Sequence, residues 1–367
     1  MIMRLIDAFS RYFVGGLFIF SGLIKLNDPI GTKIKLEEYF EVFSVDFASF
    51  FEWFIPMALP LAMILIILEL ALGVAVLLNY KMNITTWVLL VLILFFTFLT
   101  FYSAYFDKVT DCGCFGDAIP LDPWQSFFKD VILIVFIAHL FWYRKKYHSF
   151  LSERVGHYLV GATVLISFIV GMYALAHLPY IDFRPYKVGN NIPEQMIPEE
   201  QPVIEYVFEK DGKEVSSPDY LTEEDGYKYI SSRIINEKAT IAKISDYQVI
   251  SPDGEDITEQ TFEGIKLVIV MHDVKELSFD DLPALARFIE ALEGKIELMV
   301  FTAIGEAEFE NIRHEYQLAV PYYSLDWTVL KAMIRSNPGI LLLKDGTVLG
   351  KWHINDLPDP GEIAELL

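Results

Sequence analysis

The residues of this sequence best suited to chemistry are Cys112 and Cys114, the only two cysteines among its 367 residues. A single glycine separates them, in the run Asp111-Cys112-Gly113-Cys114-Phe115-Gly116-Asp117. Glycine relaxes the backbone and brings the thiols close, so a disulfide between them is expected to close a small, strained ring. Strained disulfides have the more oxidising potentials and exchange more readily, which favours a redox-active pair.

Two other interpretations of this pair stay open. The disulfide could be a static clamp of the loop, although clamps usually join segments that are distant in sequence. A thiolate metal site ranks third, because it needs further ligands and the neighbouring groups are carboxylates without a histidine. We therefore predict no metal site, and we take Asp111 and Asp117 as candidate binding residues beside the pair.

Two charged residues lie within or at the end of apolar stretches, where ionisable groups are costly and often functional. Glu69 stands in the run Leu68-Glu69-Leu70-Ala71-Leu72-Gly73, and Lys25 in Ser21-Gly22-Leu23-Ile24-Lys25-Leu26. Glu69 is either a buried polar contact that fixes helix packing or a binding site for a proton or a quinone head group. Lys25 either joins that binding site or extends its ammonium group to the membrane interface.

Five apolar stretches are long enough to cross a hydrocarbon layer of about 30 Å, which takes about 20 helical residues. They are Leu5–Leu26, Trp53–Leu78, Ile84–Phe106, Phe127–Tyr143 and Val155–Leu178. Asp7 and Arg11 interrupt the start of the first stretch, so we expect a retained helix rather than a cleaved signal peptide.

Charge divides the chain near Pro179. Residues 1–179 contain 12 Lys+Arg and 14 Asp+Glu, whereas residues 180–367 contain 17 and 36. The first part is thus nearly neutral and apolar, as a membrane domain is, and the second is acidic and soluble. The excess of acid argues against a nucleic-acid partner, because phosphate binding needs clustered Lys and Arg.

The basic residues between the apolar stretches predict the orientation, since cytoplasmic loops carry the excess of Lys and Arg. One set of segments holds Arg4, Arg11, Lys81, Arg144, Lys145, Lys146 and Arg154. This bias predicts a bacterial inner-membrane protein with a cytoplasmic N-terminus. The cysteine loop and the acidic half then lie in the periplasm, an oxidising compartment in which a cysteine pair can be oxidised.

The run Phe18-Ile19-Phe20-Ser21-Gly22-Leu23-Ile24-Lys25-Leu26-Asn27-Asp28-Pro29, the stretch around Glu69 and the Cys-Gly-Cys-Phe-Gly run together resemble DoxX-like and MauE-like membrane proteins. The resemblance covers residues 1–147 and implies a four-helix membrane unit, here followed by a fifth span. MauE-like proteins are associated with maturation of the disulfide-rich methylamine dehydrogenase subunit, and DoxD-like relatives with quinone-linked sulfur oxidation. This chain departs from both in its large C-terminal extension.

The soluble half has two patterns. Residues 180–245 form a linker and a small β-rich segment, with a hairpin turn at Glu209–Lys213. Residues 246–367 alternate between strand and helix, which predicts an α/β sheet. The expected strands are Lys266–His272, Glu297–Thr302, Ile340–Leu343 and Val348–His353, and the expected helices are Phe279–Leu292, Glu306–Gln317 and Trp327–Arg335.

This order resembles the thioredoxin fold, and Pro338 stands where that family has a cis-proline. The resemblance implies that Pro338 belongs to a surface that binds extended polypeptides. Thioredoxins carry Cys-x-x-Cys after the first of these strands, but here the segment is His272-Asp273-Val274-Lys275-Glu276-Leu277-Ser278, without cysteine. The soluble half alone therefore has no dithiol chemistry, and His272 is expected to be a solvated strand end.

The sequence thus predicts a four-helix membrane domain (1–147), a fifth transmembrane helix (148–179), the linker segment (180–245) and a thioredoxin-like domain (246–367). The leading hypothesis is a participant in extracytoplasmic thiol–disulfide redox or protein maturation through Cys112 and Cys114, with a periplasmic client or redox protein as partner. The alternatives are a non-catalytic membrane scaffold with a protein-binding domain, and a quinone-linked oxidoreductase subunit.

Overall fold

A computed structural model describes residues 2–109, 113–222 and 226–366, apart from the side chains of residues 237 and 238. The predicted site residues Asp111 and Cys112 lie outside the described residues. The chain forms two compact units, Met1–Phe183 and Arg184–Leu367.

In the described part of the first unit, five helices are long and apolar enough to cross a membrane. They are α1 (Ile2–Asn27), α3 (Ala58–Leu77, preceded by 3-10 turns over Ser49–Met57), α4 (Met82–Phe106), α5 (Pro123–Trp142) and α6 (Glu153–Ala176). The five predicted spans are confirmed. Helix α5 begins at Pro123 rather than at Phe127, because proline fits the first turn of a helix and Asp122 forms a capping box with Gln125.

A further helix, α2 (Pro29–Asp46), follows α1 after Asp28, whose carboxylate accepts a hydrogen bond from the Gly31 backbone at 3.0 Å. Its buried residues Tyr39 and Phe43 pack against the end of α4. Apolar length did not predict α2, because Lys and Glu residues are distributed along this helix. The helix lines one side of the cavity that contains Glu69.

Helices α1 and α3 cross at glycines. A Cβ atom on Gly73 would lie 2.9 Å from the carbonyl oxygen of Gly15, and one on Gly22 would lie 2.7 Å from Leu70 Cγ. Small residues allow such close approach of two membrane helices. The crossing brings the last turns of α1 beside the middle of α3.

The second unit contains the small β-rich segment as a three-stranded antiparallel sheet with the order β2-β1-β3. The strands are β1 (Ile204–Lys210), β2 (Lys213–Ser217) and β3 (Lys228–Ile234). Asp211 and Gly212, with φ of +53° and +71°, form the two-residue turn between β1 and β2. This confirms the predicted hairpin, since both central residues of such a turn need positive φ.

The larger sheet of this unit has the order β6-β5-β4-β7-β8. Strands β4, β5 and β6 are parallel, whereas β7 and β8 are antiparallel to their neighbours. This is the thioredoxin arrangement with β6 as an added edge strand. The strands are β4 (Ile265–Met271), β5 (Glu297–Thr302), β6 (Tyr322–Ser324), β7 (Gly339–Lys344) and β8 (Thr347–His353), and the helices are α7 (Ile192–Gln195), α8 (Leu282–Leu292), α9 (Glu306–Glu315), α10 (Trp327–Met333) and α11 (Pro360–Glu365).

The end of β4 differs from its prediction. His272 is buried, with 6% of its surface exposed, so the expectation of a solvated strand end is wrong. The reason is that β4 is the central strand and that Asn337 lies against its end, where the His272 backbone N–H donates to Asn337 Oδ1 at 3.1 Å. The Asn337–Pro338 bond is cis, as predicted.

Candidate functional site

A cavity within the helical unit is lined by residues of all five helices from α1 to α5 and by the loop 113–115. Its volume is about 70 Å³, which is large enough for several water molecules. Its charged and polar lining residues include Ser21, Lys25, Glu69, Cys114, Lys129 and Asp130.

Lys25 and Glu69 form a buried ion pair in this cavity. Lys25 Nζ lies 2.5 Å from Glu69 Oε1, and the two side chains are 9% and 3% exposed. The ammonium group also lies 5.0 Å from the centre of the Phe96 ring. Glu69 is thus buried in the bundle with a polar partner, as predicted, and the Lys25 side chain is buried beside it.

Ser21 connects this ion pair to the cysteine loop. Its hydroxyl oxygen lies 3.0 Å from Glu69 Oε2 and 2.9 Å from the backbone carbonyl oxygen of Cys114. A serine hydroxyl has one proton, so it can donate to only one of these acceptors at a time. Ser21 therefore lies between the Lys25–Glu69 ion pair and the backbone of the cysteine loop.

A second buried carboxylate, Asp130, lines the same cavity and was not singled out from the sequence. It is 1% exposed, lies 2.7 Å from Lys129 Nζ and accepts a hydrogen bond from Thr100 at 3.1 Å. Both charged residues fall inside the fourth predicted span, Phe127–Tyr143. The rule that identified Glu69, that an ionisable group within a span is a functional candidate, would also have found Asp130.

The described part of the cysteine loop packs over the cavity. Gly113 has a φ of +64°, and a Cβ atom there would lie 3.0 Å from Lys35 Cγ, so glycine is the residue that fits between the two cysteines. Phe115 is buried, with its ring centre 5.6 Å from that of Phe20 and 5.3 Å from Lys129 Nζ. Cys114 is partly exposed.

Two further predicted site residues that the structure describes, Asp117 and Pro338, do not line this cavity. Asp117 is exposed, in a 3-10 turn over Gly116–Ala118. Pro338 is buried in the second unit, in the loop that follows α10. Asn337 ties that loop to the segment after β4, because its side chain donates to the Asp273 carbonyl oxygen at 2.5 Å and its own carbonyl accepts from the Ser278 backbone at 3.1 Å.

At the end of α2, the Tyr102 hydroxyl of α4 donates a hydrogen bond to Asp46. This bond holds the pKa of the Asp46 carboxyl below its usual value, and Lys108, at 3.4 Å, acts in the same direction. The contact fastens α2 to α4 beside the cavity. Among the described residues, no group of three or more His, Cys, Asp or Glu side chains is arranged to hold a metal ion.

Solved structures similar to this chain include a secreted disulfide oxidoreductase of Mycobacterium tuberculosis, homologous to E. coli DsbE, with 12% identity and a TM-score of 0.26. That match covers 33% of this chain and 96% of the solved chain. StoA from Bacillus subtilis matches with 16% identity and a TM-score of 0.24, over 29% of this chain and 86% of the solved one.

Protein TlpB of Flavobacterium psychrophilum is 28% identical to this chain over 172 residues. The match covers 45% of this chain and 43% of TlpB, so it spans less than half the length of that relative. Residues 3–143 match the family described as methylamine utilisation protein MauE. The predicted resemblance to MauE is thereby confirmed over residues 3–143, which lie within the first unit.

Proposed function

We propose that this protein is an integral membrane thiol–disulfide redox protein in which Cys112 and Cys114 are the reacting pair. The observation that carries the proposal is the contact of Ser21 with both the Cys114 backbone and Glu69, within a cavity that also contains Lys25. Charged groups this deeply buried in a membrane bundle are costly and are retained mainly for function. The match to the MauE family over residues 3–143 supports the proposal that the helical unit takes part in thiol–disulfide redox.

The reaction is thiol–disulfide exchange with a second protein. A thiolate of one partner attacks the disulfide of the other, a mixed disulfide forms, and a second thiolate resolves it, so two electrons pass between the proteins and one disulfide replaces another. Each attack requires that a thiol loses its proton. The thiol releases that proton to water, and the leaving thiolate takes one up from water. Ser21, which contacts both Glu69 and the Cys114 backbone, is proposed to hold the loop in the position that the exchange needs.

The thioredoxin-fold domain, which has no cysteine, is proposed to bind the client rather than to react with it. At the end of β4, the loop that contains Pro338 lies beside the segment after the strand, as in a polypeptide-binding surface. Asn337 joins the two through its hydrogen bonds with Asp273 and Ser278. We further propose that this domain and the cysteine loop lie in the periplasm. The bias of Lys and Arg toward the other loops supports that orientation.

Quinone-linked oxidation of the same pair is a second candidate, favoured by the mixed lining of the cavity. Phe18, Phe96 and Phe115 provide apolar ring contacts beside the ammonium groups of Lys25 and Lys129, which are suited to hold carbonyl oxygens. A bound quinone would supply a two-electron, two-proton acceptor for the dithiol.

A redox titration of the full-length protein tests the proposal, because the chain contains no other thiol. The protein is equilibrated in dithiol buffers between about −150 and about −350 mV, and the thiols are then counted by mass after alkylation. Both thiols should disappear together in one two-electron transition with a midpoint above about −300 mV, the limit typical of structural disulfides.

Cys112→Ser and Cys114→Ser provide the controls, and each should keep one alkylated thiol at every potential. A pair that stays oxidised, or stays reduced, over the whole range would refute the redox function and favour a scaffold. Anaerobic addition of a short-chain quinone to the reduced protein separates the two candidates, since rapid loss of both thiols is expected only for the quinone-linked one.

A further inference from the structure

A second cavity lies at the end of the helical unit where α1 begins. It is formed by the connections between α3 and α4 and between α5 and α6. Its volume is about 430 Å³. Its charged residues are Lys81, Arg144, Lys145 and Glu153. The cavity shares no residue with the one that contains Cys114.

The charge of this cavity is positive. Three permanent cations face one carboxylate, and Glu153 lies 3.8 Å from Lys81, which leaves Arg144 and Lys145 for another anion. Arg144 is held in place, because it donates to the Phe141 carbonyl oxygen at 2.7 Å and lies 4.1 Å from the centre of the Phe141 ring. A guanidinium has five N–H donors, so this single hydrogen bond leaves the other donors available to a ligand.

The walls of the cavity are fixed by contacts between the two connections. Asn79 donates to the His148 carbonyl oxygen at 3.1 Å, and the Phe150 backbone N–H donates to the Leu78 carbonyl oxygen at 3.4 Å. The Tyr147 hydroxyl donates to Asp7 of α1 at 3.0 Å. Burial raises the pKa of the Tyr147 phenol, as does this bond to Asp7, so the ring adds no negative charge to the cavity.

Exposed aromatic residues mark the membrane interface at this end. Trp87 near the start of α4, Trp142 at the end of α5 and Tyr158 near the start of α6 are all exposed. Trp and Tyr are enriched at the depth of the lipid head groups. Ile84, an exposed apolar residue, is part of the cavity lining itself. An anion in the cavity would therefore sit at head-group depth beside surface that suits an acyl chain.

We propose that this cavity binds the phosphate-bearing head group of an anionic phospholipid. Arg144 and Lys145 contact the phosphate, Lys81 adds charge, and the acyl chains lie along the apolar surface beside Ile84. Basic pockets between helices at the cytoplasmic face are a known form of anionic lipid site. The inference does not depend on the redox function, because it rests on different residues.

Native mass spectrometry of the detergent-solubilised full-length protein tests the proposal by titration with phosphatidylglycerol and, separately, phosphatidylcholine. We expect one phosphatidylglycerol to bind at least about tenfold more tightly than phosphatidylcholine, since about two uncompensated cations near the head group favour the anionic lipid. Each removed cation should weaken binding by roughly fivefold, so Arg144→Gln combined with Lys145→Gln should lose about 25-fold.

Lys146→Gln is the matched control, because Lys146 is the next basic residue but lies over the Tyr143 ring and does not line the cavity. Its affinity should stay within about twofold of the unchanged protein, as should its helix content by circular dichroism. Lys81→Gln is a second test variant, should the double variant lose helix content.

Three results would overturn the proposal. Equal losses in the Lys146→Gln and Arg144→Gln/Lys145→Gln variants would indicate diffuse surface charge instead of a site. Equal affinity for the two lipids would remove the preference for an anionic head group. Displacement of phosphatidylglycerol by millimolar inorganic phosphate or glycerol phosphate would identify a soluble phosphate compound as the ligand.

Discussion

The residues that distinguish this membrane unit are its paired charges. Breaking a buried ion pair leaves an uncompensated charge, whereas replacing both partners by apolar groups is often neutral or stabilising. Lys25 and Glu69 are therefore a poor choice for stability alone. We propose instead that the pair, through Ser21, positions the loop that contains Cys114.

Glu69→Gln should lower the free energy of unfolding by about 3–5 kcal/mol, because the ammonium group of Lys25 then remains buried without its carboxylate. The measurement is thermal or detergent-induced unfolding of the purified protein. Glu52→Gln is the control, since Glu52 is exposed. If the Glu69→Gln variant unfolds at the same temperature or detergent concentration as the unchanged protein, the pair does not stabilise the bundle.

The double variant Lys25→Met/Glu69→Leu separates packing from chemistry. Its stability should return close to that of the unchanged protein, because no charge remains unpaired. Thiol–disulfide exchange by Cys112 and Cys114 should nevertheless be slower, by roughly 100-fold, because Ser21 loses the Glu69 contact that helps to position the Cys114 loop. Exchange at the unchanged rate would mean that the pair serves only packing.

At the scale of elements, the contact of α1 with α3 positions the site. Gly15 and Gly73 allow the two backbones to approach closely, and the same crossing aligns Lys25 with Glu69. Helix α2 closes the cavity on one side and is fastened to α4 through Tyr39, whose hydroxyl lies 2.7 Å from Ser103 Oγ. The site therefore depends on helix packing as much as on the charged residues.

Gly73→Ala should destabilise the membrane unit by about 1–3 kcal/mol, since overpacking costs that much and the new Cβ would meet the Gly15 backbone at 2.9 Å. Gly161→Ala in α6 is the matched control, because a Cβ there would meet no atom within 4 Å. That control should be neutral or more stable by up to about 1 kcal/mol, the difference in helix propensity. Melting temperatures of the two variants provide the comparison, and equal values would contradict the close crossing.

At the scale of the whole molecule, the chain joins a nearly neutral membrane unit to an acidic soluble one. The second unit, residues 184–367, has 35 acidic residues against 17 basic ones, and this net negative charge repels anionic membrane surfaces and nucleic acids. Its partners are expected among proteins with neutral or basic surfaces. The orientation of the helices in the membrane determines which compartment contains the second unit, and therefore which proteins it can meet.

A membrane-impermeant maleimide should label reduced Cys112 or Cys114 in cells with a permeable outer membrane, if the basic residues set the orientation. The control is Lys145→Cys in a Cys112→Ser/Cys114→Ser background, since Lys145 lies on the side predicted to be cytoplasmic. That variant should be labelled only after lysis of the inner membrane. The reverse pattern would put the cysteine loop and the soluble unit in the cytoplasm.

Local sequence patterns predicted several features of the fold. Apolar length predicted five spans, and alternation of strands and helices predicted an α/β sheet, because hydropathy and backbone preference act over one element. Glu69 was identified in the same way, as a charge inside an apolar run. The cis bond before Pro338 was predicted from the resemblance to thioredoxins.

The tertiary structure alone decided which of these residues meet. Lys25 lies next to Glu69, and Ser21 next to Cys114, because glycines set the crossing of α1 and α3 and the loop folds over them. His272 is buried for a similar reason, since its environment comes from Asn337, 65 residues away in the chain. Burial and partnership are properties of packing between distant segments, and a single sequence contains no local signal for them.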